Sequence, residues 1–105
     1  MFNRHVTMQI KANSAAELTR IVEKEIVPLL RKQKGFRDEV TLVAPERSQA
    51  VGNSFWDTKE DAEAYNHAAY PEVLKALSTV VEGTPTVKTF DLVNATFYTA
   101  AAKAA

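Results

Sequence analysis

The apolar residues change their spacing several times along this chain, and the order of the changes limits the folds it can adopt. They alternate with polar residues over the first eleven positions, recur at steps of three and four after Ser14, and alternate again in two arms between Phe36 and Asp57. Helical steps return after Thr58, and a last alternating segment runs from Pro85 to about Val93. Alternation is typical of strands and steps of three or four are typical of helices, so the predicted order is β-α-β-β-α-β.

This order is typical of the α+β, ferredoxin-like fold, an antiparallel four-stranded sheet with both helical regions on one face. The chain has 105 residues, close to the commonest size of a single domain. We therefore expect one domain over residues 1–105, of which residues 94–105 form a C-terminal extension.

The first helical region contains signals for its start, its bend and its end. The stretch Ser14-Ala15-Ala16-Glu17 predicts a capping box, in which the serine and the glutamate each satisfy a free backbone N–H. Pro28 lies within the apolar stripe and predicts a kink just before it, because proline cannot donate a helical hydrogen bond. Gly35 predicts the end of the helix in a left-handed conformation.

The second half of the chain begins with a predicted hairpin and continues into a broken helix. The two arms on either side of the turn at residues 45–49 predict the hairpin, and Gly52 in the second arm suggests a bulge or a close approach of backbone. Thr58 predicts an N-cap, and Tyr70-Pro71 predicts a division into two short helices. The helical spacing continues as far as Gly83.

Both faces of the predicted strands carry apolar side chains. Phe55 opposes Trp56, and Leu42 opposes Val43. Two helical regions cover only one face of a sheet, so the other face needs a partner. We expect a homodimer formed by sheet-to-sheet packing.

Composition removes several classes of function. Thirteen basic residues balance thirteen acidic ones, which disfavours binding to nucleic acid or to an anionic membrane. The sequence has no apolar run long enough to span a bilayer and no signal-peptide pattern, so a cytoplasmic protein is expected. Cysteine is absent, the two histidines lie in distant segments and the glycines are isolated, so we expect no metal and no cofactor.

The segment from Phe55 to Tyr70 holds most of the candidate site residues. The helix break before Pro71 should place Asn66, His67 and Tyr70 at the rim of the space between helices and sheet, where they are the catalytic candidates. Trp56 and Tyr65 are candidates for contact with a small aromatic ligand, although core packing is the stronger interpretation for both. Asn66 also fits a helix-terminal cap, and His67 a position facing solvent.

The first strand adds two charged or titratable candidates. His5 fits either a proton acceptor in a buried cavity or, as we favour, a hydrogen-bonded interface histidine. Arg4 lies on the otherwise apolar side that faces the helices, so it needs a carboxylate such as Asp91 or Asp38, or else an acidic ligand. Of these, a structural ion pair is the favoured interpretation.

Two stretches carry a resemblance to a known family. The residues VPLLR from Val27 followed by QKGF, and FWDTKEDA from Phe55 leading to Ala64-Tyr65, resemble the antibiotic-biosynthesis monooxygenase-like family of dimeric α+β barrels. The resemblance covers about residues 2–93. It implies a cleft between helices and sheet in which polycyclic phenols are oxidised by molecular oxygen without metal or flavin. On this basis Asn66 and Tyr70 would bind the substrate beside an aromatic wall.

The resemblance also extends to haem-degrading relatives, which use a strand asparagine, a helix tryptophan and an iron-ligating helix histidine. The corresponding positions are Val6, Tyr65 and Lys75, so haem degradation is disfavoured. Val6 and Arg4 remain candidates for substrate binding on the first strand. Two functions follow: a cofactor-independent monooxygenase in which a tyrosine or histidine accepts a proton, or a non-enzymatic ligand-binding or dimeric interaction domain.

Overall fold

Residues 1–97, which the computed structural model describes, form one antiparallel sheet of four strands and a layer of helices. The strands lie in the order β2-β3-β1-β4. The elements are β1 (Phe2–Ile10), α1 (Ala15–Ile21), a π-helical segment (Val22–Ile26), α2 (Val27–Arg31), β2 (Phe36–Val43), β3 (Gln49–Trp56), α3 (Lys59–Ala68), α4 (Tyr70–Leu77) and β4 (Val81–Asp91). The ferredoxin-like prediction is confirmed; residues 98–105, the greater part of the expected C-terminal extension, lie outside the described residues.

The first helical region has the predicted irregularity but not the predicted cap. The π-helical segment ends immediately before α2, whose second residue is Pro28, and its wider turn suits a proline that has no N–H to donate. Ser14 stands at the N-cap without a side-chain hydrogen bond to the helix, and Glu17 instead accepts two hydrogen bonds from Arg20. The capping-box prediction is therefore wrong. Gly35 is left-handed at φ 80°, but it introduces β2 and does not end α2 directly.

The second helical region divides where predicted and ends earlier than predicted. The Asp61 N–H donates to Oγ1 of Thr58, so the threonine N-cap is confirmed. Ala69 has a non-helical conformation and separates α3 from α4. Helix α4 ends at Leu77, and β4 begins at Val81 where a continuing helix was expected, because its backbone pairs with β1 from Ile10 onward.

The hydrophobic core lies between the helices and one face of the sheet. Trp56, Leu18, Ile21 and Val80 are its largest fully buried side chains. The register of β3 with both neighbours runs without interruption through Gly52, and the irregular positions lie elsewhere in β1–β4 and β2–β3. A bulge at Gly52 was therefore the wrong prediction.

The opposite face of the sheet is largely open in the described chain, apart from Phe97, whose ring packs edge to face on Phe55 with ring centres 5.7 Å apart. Val40, Leu42 and Phe90 on this face are 40%, 57% and 51% exposed. Strand β2 is inverted with respect to hydropathy: its apolar Val40 and Leu42 point outward, while Glu39 and Thr41 point towards the helices. Whether a second chain covers the open face stays a prediction.

Candidate functional site

Three polar residues stand in one row across the sheet, beneath the helices. Arg4 of β1 pairs in register with Ser54 of β3, and Ser54 pairs in register with Glu39 of β2. All three line the same cavity between helices and sheet. Because neighbouring strands are about 4.8 Å apart, the row places a cation and a carboxyl group on the cavity floor roughly 10 Å apart at the backbone.

The next row leaves the cavity floor without a central side chain. Val6, Gly52 and Thr41 are paired across β1, β3 and β2. A Cβ added at Gly52 would meet nothing nearer than Glu39 Oε2 and Met8 Cε, both at 3.8 Å, and the glycine does not have a positive φ. Gly52 is therefore not required by backbone conformation or by a close contact; its missing side chain leaves free space.

This space forms a cavity of about 60 Å³. Its walls from the helices are mainly apolar: Leu18, Val22, Ile26, Leu30, Tyr65, Tyr70, Val73 and Leu77. Since a single water requires about 10–15 Å³ by this measure, the cavity has room for a few waters or for a small chemical group. A mainly apolar cavity with a few polar groups on one side is typical of a small-molecule site.

The break between α3 and α4 brings two tyrosines onto Arg4. The Arg4 guanidinium carbon lies 5.3 Å from the ring centre of Tyr65 and 4.5 Å from that of Tyr70. Arg4 Nη1 donates a hydrogen bond of 2.9 Å to Oδ1 of Asn66, the residue that follows Tyr65 in α3. Because the helix break places Tyr70 beside Tyr65, one guanidinium contacts both rings and the amide.

Two polar atoms in this cluster, Arg4 Nη2 and Tyr70 Oη, are buried and have no hydrogen-bond partner within residues 1–97. Arg4 is 5% exposed, and it forms no ion pair with Asp38, Asp91 or another carboxylate among residues 1–97. The structural ion pair expected for Arg4 is therefore wrong. Asn66 and two aromatic rings replace the carboxylate.

Burial shifts the pKa values of the cavity groups. It raises the pKa of Tyr65 and of Tyr70, an effect that the positive charge of Arg4 partly opposes. Burial also raises the pKa of Glu39, although the hydrogen bond of 2.7 Å that Thr41 Oγ1 donates to Glu39 Oε2 partly opposes this shift. The tyrosines are thus held as neutral hydrogen-bond donors, while Glu39 is the titratable group on the cavity floor that can accept a proton.

The remaining predicted site residues lie at different distances from the cavity. Val6 lines it, whereas Trp56 is fully buried behind Tyr65, with ring centres 4.8 Å apart, and its Nε1–H donates to Ser54 Oγ. The interpretation of Trp56 and Tyr65 as core residues is confirmed. Asn66 reaches the cavity through Arg4, and His67 is exposed near the end of α3 and does not line the cavity.

His5 belongs to the open face and not to the cavity. Its Nδ1 lies 2.8 Å from Oδ1 of Asn53, and its ring meets the Phe90 ring edge to face at 6.0 Å. Asn3 also donates to Asn53. His5 is therefore hydrogen-bonded on the surface where a partner sheet is expected, which fits the interface interpretation.

Sequence reasoning missed Glu39 and the role of Gly52. Hydropathy alone points Val40 and Leu42 of β2 inward, and the structure places both outward, while Phe36 and Val43 pack against the core. The signal that was available is the buried charge of Arg4, which requires a polar environment on the same face of the sheet. Neither the register of β2 nor the contribution of Gly52 to the cavity can be read without pairing the strands.

Residues 1–97 meet neither the requirements of a metal site nor those of a membrane-spanning helix. No three His, Asp or Glu side chains within residues 1–97 are grouped so that they could hold a metal ion. None of the helices described is long and apolar enough to cross a bilayer.

No family model matches the sequence, and no curated protein matches it significantly. Solved structures do match. The ActVA-Orf6 monooxygenase of Streptomyces coelicolor, solved with the ligand nanaomycin D, has a TM-score of 0.76 at 17% identity, covering 90% of this chain and 88% of that one. SnoaB, a cofactor-independent oxygenase of Streptomyces nogalater, has a TM-score of 0.74 at 12% identity, with 90% and 95% covered.

A third match is a Deinococcus radiodurans protein provisionally named an antibiotic biosynthesis monooxygenase, with a TM-score of 0.72 at 16% identity over 90% and 95% of the two chains. These likenesses confirm the fold predicted from the resemblance: the chain has the fold of the antibiotic-biosynthesis monooxygenase-like proteins. Identities this low establish the fold alone, so the activity is argued from the cavity.

Proposed function

We propose that the chain is a cofactor-independent monooxygenase that acts on a small aromatic or quinol substrate in the cavity between helices and sheet. The observation that carries the proposal is the cavity itself. Its wall is mainly apolar, and its polar lining includes Arg4, Tyr70 and Glu39. Two of the solved structures that share the fold are described as a monooxygenase and a cofactor-independent oxygenase. The fold and the cavity chemistry support the same reaction class.

The cavity supplies groups for substrate ionisation. In such a reaction a phenol or an activated methylene loses a proton, and the resulting anion donates electrons to oxygen. When a methylene becomes a carbonyl, the substrate loses four electrons, one oxygen atom enters the product, and the other leaves as water. Glu39 is the proton acceptor in this proposal, since Tyr65 and Tyr70 are held neutral and both histidines lie outside the cavity.

Orientation would provide most of the catalysis, because the electrons come from the substrate. A polycyclic phenol needs more than the present 60 Å³, since ligand sites usually occupy about 300–1,000 Å³. Binding of such a substrate therefore includes outward movement of cavity side chains. A one-ring quinol requires less movement.

Oxygen uptake with a panel of hydroxyanthrones and quinols tests the proposal. We expect uptake by the wild type, partial loss in Gly52→Ala and loss of at least tenfold in Gly52→Val, since the added methyl groups occupy the cavity floor where space is free. Ala64→Val introduces the same valine side chain on the exposed side of α3 and should leave the rate unchanged. Absence of uptake with every compound, or equal rates in Gly52→Val and the wild type, would contradict the proposal.

The alternative is a non-enzymatic ligand-binding domain. It is favoured by the small number of polar groups in the cavity, which suffices for binding without any chemical step. A compound that binds to the wild type, is excluded by Gly52→Val and consumes no oxygen would establish this alternative. A homodimer and a cytoplasmic location complete the proposal, and the dimer has its own test below.

A further inference from the structure

Arg4 is a buried charge without a counter-charge among the described residues. A guanidinium remains protonated at physiological pH, and burial of an unpaired charge is costly. Arg4 is 5% exposed, and no carboxylate oxygen of residues 1–97 lies within 4 Å of its nitrogen atoms. Little of the guanidinium is therefore exposed to bulk solvent, and no acidic neighbour within residues 1–97 balances its charge.

The groups that do contact Arg4 are neutral. Asn66 accepts one hydrogen bond, and the rings of Tyr65 and Tyr70 provide cation–π contacts. These contacts position the guanidinium but leave Nη2 without an acceptor among residues 1–97, and the hydroxyl of Tyr70, whose ring the guanidinium contacts, has no partner there either. Two unsatisfied donors in one buried cluster require an acceptor, and residues 1–97 do not provide one.

We propose that the cavity binds a small aromatic anion whose charged oxygen accepts hydrogen bonds from Arg4 Nη2 and Tyr70 Oη. The anionic oxygen belongs to a carboxylate or to a phenolate, since either group accepts from both donors. This proposal deepens the proposed function, because it specifies the charge of the ligand for the same cavity. It does not require that the ligand be oxidised.

The other end of the polar row determines the orientation of the ligand. Glu39 lies two strands from Arg4 on the cavity floor, and its carboxyl group would repel a second anionic group placed there. A ligand hydroxyl or another hydrogen-bond donor can instead donate to the Glu39 carboxyl group at that end. Between the two polar ends the cavity surface is apolar at Val6, Val73 and Leu77, which suits an aromatic ring.

Two pairs of compounds test the charge directly: benzoate against benzamide, and 2,4-dinitrophenolate against 2,4-dinitroanisole. Each pair keeps the ring and changes the charged oxygen for a neutral group. Binding is measured by calorimetry and by the rise of the unfolding temperature, which grows with ligand concentration when only the folded state binds. We expect at least one acid to bind about tenfold or more tightly than its neutral partner, as a charge-assisted contact predicts.

Variants assign the effect to the cluster. Arg4→Met keeps an apolar stem and should abolish the preference for the acid, and Tyr70→Phe should weaken acid binding several-fold while leaving the neutral partner unchanged. Arg4→Lys retains the charge and should retain part of the preference. Arg31→Met removes an exposed arginine at the end of α2 and is the matched control, with no change expected.

Stability of the ligand-free protein separates a binding role from a structural one. If Arg4 serves a ligand, Arg4→Met without ligand should unfold at the same temperature as the wild type or a higher one, because a buried unpaired charge has been removed. A structural arginine would instead lower the unfolding temperature on removal.

Preference for the acid in at least one pair, its loss in Arg4→Met and an unfolding temperature of that variant no lower than that of the wild type support the proposal. Equal binding of acid and neutral partner in both pairs, no binding by any of the four compounds, or an acid preference that survives Arg4→Met overturns it. The outcome is independent of turnover: acid-selective binding without oxygen uptake contradicts only the proposed enzyme, and oxygen uptake confined to neutral substrates contradicts only this inference.

Discussion

Single residues determine the charge pattern of the cavity. Arg4 and Glu39 stand at opposite ends of one cross-strand row, and Gly52 leaves the neighbouring row open between them. Burial disfavours the charged form at both ends: it lowers the pKa of Arg4, which nevertheless stays protonated, and it raises the pKa of Glu39. Protonation of Glu39 therefore changes the net charge of the cavity floor.

Glu39→Gln should change how stability depends on pH. Because burial raises the pKa of folded Glu39, the folded state holds more protons than the unfolded state between the ordinary glutamate range and the raised value, and stability falls as pH rises through that window. Glu39→Gln removes this fall and should be more stable than the wild type at neutral pH. We expect a gain below about 1 kcal/mol, since the side chain is only partly buried and solvent screens it.

The measurement is urea unfolding of both proteins from pH 4 to pH 8. Glu46→Gln removes the same charge from the exposed turn between β2 and β3 and serves as the control. Parallel pH curves for the wild type and Glu39→Gln would show that the environment of Glu39 does not affect its ionisation.

Sequence patterns predicted those site residues whose placement depends only on the neighbouring residues in the chain. Alternation alone placed Arg4 on the helix side, and Pro71 placed Tyr70 at a helix break. Glu39 could not be found in this way, because its position depends on the pairing of β2 with β3 and on a register shift between Phe36 and Asp38. The Arg4 to Asn66 hydrogen bond joins residues that are 62 positions apart, so local pattern cannot reveal it.

At the scale of elements, the N-cap residues of two helices differ in how much they stabilise the first turn. Thr58 accepts a hydrogen bond of 3.1 Å from the Asp61 N–H, while Ser14, at the equivalent place before α1, makes no such bond. Both residues look alike in the sequence, since each is followed by an acidic residue at the third position. The geometry distinguishes them because only Thr58 has an extended backbone at φ −138° and ψ 160°.

Thr58→Ala should therefore destabilise the protein by about 1 kcal/mol, which corresponds to a fall of about 4–8 °C in the unfolding temperature for a domain of this size. Ser14→Ala is the matched control and should change it by much less. Thermal unfolding followed by circular dichroism measures both. Equal losses in the two variants would mean that the cap geometry does not determine the contribution.

The boundaries of elements were less predictable than their order. Val80 and Val81 continue the helical spacing of α4, yet the chain leaves the helix after Leu77 because β1 offers backbone partners along its free edge. Tertiary pairing thus overrides local periodicity at this point. The order of strands and helices survived because each element is long enough for its period to be unambiguous.

For the molecule as a whole, the uncovered face of the sheet is the dominant surface feature. Leu42 and Phe90 are both more than half exposed, and the hydrogen-bonded pair His5 and Asn53 lies between them on the sheet. Exposed apolar groups that share one surface are typical of an interface with another protein surface. A second copy of the chain is the partner that we propose.

Sedimentation at micromolar concentration should show a dimer for the wild type. Leu42→Glu places a charge on the open face and should shift the equilibrium to monomer without loss of helical signal. Ala64→Glu, on the exposed side of α3, should remain dimeric. A monomeric wild type would contradict the dimer.

The strand order has a further consequence during synthesis. Strand β1 leaves the ribosome before the other three described strands, yet it lies inside the sheet with β3 on one edge and β4 on the other. A nascent chain shorter than about eighty residues has no β4 to pair with that second edge, because β4 begins at Val81. Until then a row of backbone donors and acceptors on β1 remains open, so unfinished chains are the species most exposed to association with each other or with chaperones.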